Sequence, residues 1–209
     1  MRRFIMTIDN DNLLESIMQS LDRFAYLKAA EIPDIDLYMD QVTTLMESRL
    51  AQASRHGSED KILTKTMINN YAKNDLLPAP NKKKYSKEHI LVLIFIYYYK
   101  GILSIGDIQK LMSPINENFF ANEKGMKVED IYEEVFSMEK EQIKNVKIDV
   151  TEKYKAAEAL FDNAPEEHRE FLKKFAFICA VSFDVYVKRL LIEKIIDELP
   201  DIDPHKNNK

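Results

Sequence analysis

The sequence predicts an all-α protein with room for one small hairpin, and three observations predict it. Leu, Ile, Lys, Glu, Met and Ala are plentiful, a composition that favours helix. Only 4 Gly and 7 Pro in 209 residues leave little turn material. Apolar residues recur at three- and four-residue steps over most of the chain. With 45% hydrophobic residues, the chain can bury a real core in one domain or two small ones.

Residues 11–30 place Leu14, Ile17, Met18, Leu21 and Ala25 at helical spacing, and Pro33 stops that helix, so residues 1–34 read as an N-terminal helical extension. In the next helix Asp34 or Asp36 is the expected cap, and Tyr38, Val42, Leu45 and Met46 share a core face. The polar stretch ASRHGSED, residues 53–60, reads as a loop around Gly57. Thr64 is the expected N-cap of a short amphipathic helix. Its core face is Met67, Ile68, Tyr71 and Ala72; its other face is Lys65, Asn69 and Lys73, widened by Thr66 and Asn70.

Pro78 and Pro80 exclude helix from PAPNKKKY, so Lys82, Lys83 and Lys84 fall on an exposed loop or narrow hairpin anchored by Tyr85. The β-branched and aromatic run Ile90–Tyr99 also suits a strand. Its length, with Ser86 and Glu88 before it and Gly101 after it, favours a buried helix. Ser104 and Asp107 resemble a capping box opening a helix to about Met112, before Pro114.

Beyond Pro114, apolar positions from Val128 to Phe161 predict one long amphipathic helix, interrupted near IDVT (148–151). A second starts at Pro165, with Glu166 and Glu167 in its first turn, and runs to Pro200. Its middle, Phe171 to Val187, is apolar on most sides, which implies burial against more than one neighbour, within the chain or across a dimer. Residues 200–209 read as a disordered tail.

The single cysteine, Cys179, has no disulfide partner, and its apolar surroundings predict a small buried core residue. The N-terminus lacks the apolar segment of a signal peptide. The most apolar stretch, Ile90–Tyr99, is about half of the roughly twenty residues a membrane span needs. A soluble cytoplasmic protein is expected.

Charge is uneven. Residues 61–112 carry 9 basic and 3 acidic side chains, while residues 1–60 carry 6 and 11, and residues 113–209 carry 15 and 21. A basic island in an acidic chain marks a local partner site more often than a solubility device. Asn can bond adenine through two atoms, and Lys can reach guanine edges or phosphates. The stripe of Lys65, Thr66, Asn69, Asn70 and Lys73 therefore suits a helix lying in a major groove, with a merely solvated face as the alternative. The lysines at 82–84 suit phosphates.

Other chemistries find no residues to carry them. His56, His89, His168 and His205 are scattered, and none follows a Glu by three residues. With one cysteine there is no zinc-ligand spacing. There is no Gly-rich phosphate loop and no nucleophile elbow. Glu129, Asp130, Glu133 and Glu134 read as a solvated first turn rather than a cation site. No cofactor, metal or catalytic residue is expected, and the chain is not expected to be an enzyme.

Residues 64–112 resemble the DNA-binding domain of MerR-type transcription regulators. Tyr71 matches the tyrosine ending the recognition helix, and Leu76, Leu77 and Pro78 match the turn after it. Lys83 and Tyr85 match the end of the wing, and Gly101, Ser104, Ile105 and Ile108 match the final turn and helix. IPDIDLYMDQVTTLMESRL (32–50) is similar to the first helix of an uncharacterised bacterial family of MerR-like proteins. Asn69 and Asn70, and the long connection at 53–63, differ from the usual pattern.

The resemblance implies a winged helix-turn-helix over residues 35–112 that binds double-stranded DNA as a transcriptional regulator. Thr64, Lys65, Thr66, Asn69, Asn70, Lys73, Lys82, Lys83, Lys84 and Tyr85 are its expected DNA-binding residues. Residues 113–199 would then dimerise or sense an effector, with a homodimer formed through 128–199. The alternative is a non-enzymatic interaction module, an adaptor or antirepressor, that turns the same surface on a protein partner.

Overall fold

The structure, a computed structural model, describes residues 12–50 and 62–200. The loop expected at 53–60, the first eleven residues and nearly all of the expected disordered tail lie outside the described residues. The described chain is helical apart from two short strands. In order it runs α1 (Leu13–Asp22), a 3-10 turn (Ala29–Glu31), β1 (Leu37–Tyr38), α2 (Met39–Leu50), α3 (Lys65–Lys73), β2 (Lys84–Tyr85), α4 (Lys87–Tyr99), α5 (Ile105–Phe119), α6 (Val128–Ser137), α7 (Glu139–Glu158) and α8 (Glu166–Asp197).

Two compact units emerge. The first comprises Tyr26–Ser137 and the end of α8 from Glu193; the second contains α1, α7 and α8 up to Ile192. The first unit extends past residue 112, where the sequence suggested a boundary, because α6 contributes the buried Val128 and Tyr132 to its core.

The first unit is built around α4. His89 to Ile96 are all buried, so this apolar run is a helix enclosed by others, and the strand reading is set aside. Val42 and Met46 of α2, Ile68 and Tyr71 of α3, and Ile108 and Met112 of α5 join the same core. Phe95, Tyr132 and Phe136 pack as a cluster extended by Tyr26 and Tyr98, and the Tyr132 hydroxyl donates to the Leu27 carbonyl. That anchoring draws Tyr26 and Leu27 out of helix, so α1 ends at Asp22 rather than near residue 30.

Local signals set several boundaries as expected. Thr64 Oγ1 accepts from Met67 N at 3.1 Å, and Ser104 and Asp107 form a reciprocal capping box. Other boundaries differ. Neither Asp34 nor Asp36 caps α2, since the strand β1 intervenes and Tyr38 N donates instead to Gln41 Oε1 at 2.9 Å. Helix α5 runs through Pro114, whose missing N–H costs one helical bond. Its second half is held by Asn116, which donates to the Leu76 carbonyl at 3.0 Å. The expected break at 148–151 lies inside α7, and the interruption falls at Met138.

In the second unit, α7 carries Lys153, which bridges Asp149 and Asp184 of α8, and Tyr154 meets Phe177 edge-on at 5.5 Å. The hydrogen bond that Lys153 donates to Asp149 holds its ammonium above its usual range, and Lys153 in turn holds Asp184 below its own. Cys179 is exposed on α8, which corrects the expectation of a buried thiol, because no described residue of the unit covers it. Among the described residues no helix is long and apolar enough to cross a membrane.

His89 is buried against Tyr85 and Phe120, and its Nδ1 accepts from Ser86 N at 3.0 Å. Burial holds the imidazole below its ordinary value, partly offset by the carbonyls of Ala79 and Pro78 and by Asp36. A histidine kept neutral in the fold but free to charge when unfolded contributes stability that is complete above the unfolded value, about 6.5, and is lost as pH falls through it toward the lowered folded value. The urea midpoint is therefore expected to drop between pH 7 and pH 5. That drop should be smaller in His89→Gln, whose amide can still accept from Ser86; an equal drop in both proteins would remove His89 from the account.

Candidate functional site

The surface expected to carry function is assembled by three anchors within the first unit. Ile68 and Tyr71 hold α3 against the core, and burial pushes the Tyr71 phenol up. This leaves Lys65, Thr66, Asn69, Asn70 and Lys73 exposed on the opposite face, while Thr64 is half-buried with its hydroxyl committed to the cap. At the far end of α3, Asp75 adopts φ 57° and the amides of Leu76 and Leu77 donate to the Tyr71 carbonyl. The two leucines are buried, which fixes the exit of the chain toward the wing.

The wing is a tight hairpin tip. Lys84 N donates to the Asn81 carbonyl at 2.9 Å, closing a turn whose central residues are Lys82 and Lys83. Its stem pairs over a long range: Leu37 lies opposite Tyr85, and Tyr38 opposite Lys84, in an antiparallel ladder. Thus β1 ties the wing to the start of α2. Lys84 is half-buried, with its ammonium 5.3 Å from the centre of the Tyr38 ring. Tyr85 is buried, packs edge-on against His89 at 5.5 Å, and is shielded from any partner. Its place among the expected contact residues is therefore corrected: it anchors the wing.

The electrostatics sort the remaining lysines. Lys65 is paired with Asp40 of α2, which lowers its availability to a partner. Lys73, Lys82 and Lys83 are exposed and make no ion pair with any described residue. Among the described residues no group of three His, Cys, Asp or Glu side chains is placed to share a metal ion.

Sequence reasoning did not anticipate the backbone of the tip. Lys82 has φ 48° and Lys83 φ 64°, the left-handed region in succession. Two-residue hairpin turns of this kind favour Asn-Gly or Asp-Gly, since a Cβ there meets the following carbonyl. Two lysines hold the places where Asn and Gly would be easier. Replacing them as Lys82→Asn with Lys83→Gly is expected to raise folding stability by roughly 1–2 kcal/mol. Chemical denaturation reads this directly, and a midpoint that stays put or falls would contradict the strained-tip description.

Comparison with known proteins adds one finding. A family model described as a domain of unknown function (DUF1836) matches residues 27–135, just over half of the chain, and covers α2 to α6 with the wing. No curated protein and no solved structure matches the chain.

Proposed function

We propose that this chain, which belongs to the DUF1836 family, binds double-stranded DNA through α3 and the wing, in the manner of a MerR-like transcriptional regulator. The observation that carries the reading is the tip itself: two solvent-facing lysines, unpaired within the described residues, held in a backbone conformation that Asn and Gly adopt more easily. Strain kept at an exposed position calls for a functional cause, and placing two cations at a protruding tip is a sufficient one. The net charge of the surrounding segment supports it, since 9 basic against 3 acidic side chains in residues 61–112 make a local positive field on an acidic protein.

Roles divide by chemistry. Lys82 and Lys83 lie along phosphates, and Lys73, in the last turn of α3, adds a third cation. Asn69 and Asn70 offer the amides that read base edges in a major groove, with Thr66 beside them. Lys65 must leave Asp40 to join them, which makes it a weaker contributor. Regulation of transcription follows if the preferred sites lie in promoters.

Site selection from a random duplex library, followed by anisotropy titrations at several salt concentrations, tests the reading. Changing Lys82, Lys83 and Lys84 together to Ala should weaken binding to all duplexes alike and flatten the salt slope by up to about 0.9 for each phosphate no longer neutralised. Asn69→Ala should cost roughly 1–3 kcal/mol on the selected site and little on random DNA. An unaltered affinity and slope in the triple variant would leave the surface to a protein partner.

A further inference from the structure

The second unit holds a cavity of about 430 Å³ between the start of α1, the end of α7 and the first half of α8. That lies toward the small end of the roughly 300–1,000 Å³ typical of small-molecule sites. Helical spacing assembles it. Tyr154 and Glu158 are four apart on α7, and Glu166, Arg169, Lys173 and Phe177 recur at three and four residues on α8, so each set shares one helix face. The floor is apolar: Phe177 is buried and meets Tyr154 edge-on at 5.5 Å, with Leu13 of α1 as a further wall.

The charges around this floor are balanced. Glu158, Glu166 and Glu170 face Arg169, Lys173 and Lys174. Two of the cations are already partnered: Lys174 holds Glu170 at 2.9 Å, and Lys173 holds Asp162 at 3.4 Å. Arg169, Glu158 and Glu166 make no ion pair with any described residue. Arg169 is the least satisfied of them. Its Nη2 donates to the Ala164 carbonyl at 3.0 Å, while its Nε is sealed from solvent and has no acceptor among the described residues. A sealed donor without a partner is destabilising, and an anionic oxygen at Nε would remove that cost through a charge-assisted hydrogen bond. Burial pushes the Tyr154 phenol up, and Glu158 and Glu170 push it further against the opposing Lys174, so its hydroxyl stays a donor. A bare anion in this cavity would meet three carboxylates, and a bare cation three cationic side chains. A molecule carrying both charges meets neither objection.

We propose that this cavity binds a small zwitterion of the α-amino acid class, with its carboxylate on Arg169, its ammonium on Glu158 and Glu166, and an apolar side chain over Phe177, Tyr154 and Leu13. The lining residues all belong to the second unit. The proposal is independent of the DNA reading, so its test contains no nucleic acid.

Thermal unfolding of the full chain with each of the proteinogenic L-amino acids at millimolar concentration reads the site, because a ligand that binds only the folded chain raises Tm. At least one amino acid with an apolar side chain should raise it, and more so at higher concentration. Calorimetry then separates the two charges of that amino acid. Its N-acetyl derivative lacks the ammonium and its amide lacks the carboxylate, and each should bind about tenfold more weakly or worse. Arg169→Gln, whose amide can still donate to the Ala164 carbonyl, and Glu158→Gln, at an exposed position, should keep the helical circular dichroism and weaken binding by a similar factor. A Tm indifferent to every amino acid, derivatives that bind as tightly as the parent, or either variant binding as the natural chain does would each overturn the proposal.

Discussion

Burying α4 on all sides is the constraint from which the first unit follows. Eight consecutive buried residues, His89 to Ile96, leave no face for water, so the helix needs walls all round it. Residues of α2, α3, α5 and α6 supply apolar atoms to that core, and β2 runs directly into its N-terminus. Lys100, one residue past the helix, is pulled into the structure as well. Its ammonium donates to the Ile62 carbonyl at 2.6 Å, and burial lowers its pKa. That contact fixes the chain just before Thr64, so the position of α3 is set at both ends: by Lys100 at its entry and by the buried Leu76 and Leu77 at its exit.

This frame explains why the candidate surface is rigid where it needs to be. A helix presenting amides and ammonium groups is held by Ile68 and Tyr71, and a hairpin tip presenting two lysines is held by Tyr85 and by pairing with β1. The anchoring side chains are apolar or aromatic and inward; the polar ones are outward and make few contacts within the protein. Lys82 and Lys83 take the left-handed region in succession against local ease, and rule-breaking of that sort concentrates at functional positions.

Much of this was legible because it is local. Caps at Thr64 and Ser104 depend on residues three apart, the prolines at 78 and 80 exclude helix on their own, and the core face of α3 follows from period alone. What could not be read depends on distant partners. The strand at Leu37 exists because Tyr85 lies opposite it, the helix through Pro114 persists because Asn116 reaches the Leu76 carbonyl, and α1 stops early because Tyr26 joins an aromatic cluster with Tyr98 and Phe136. The Cys179 expectation failed for a related reason: an apolar run shows that a helix wants cover, but not whether its own chain provides it.

The claim at the centre of the account is that α3 and the wing form one DNA-facing surface. Backbone amide NMR of the full chain, titrated with a selected duplex, tests it most directly. The account predicts shift changes concentrated at residues 64–74 and 79–84, with the amides of the α4 core unmoved. Changes confined to other elements, or a spectrum indifferent to duplex at saturating concentration, would contradict it.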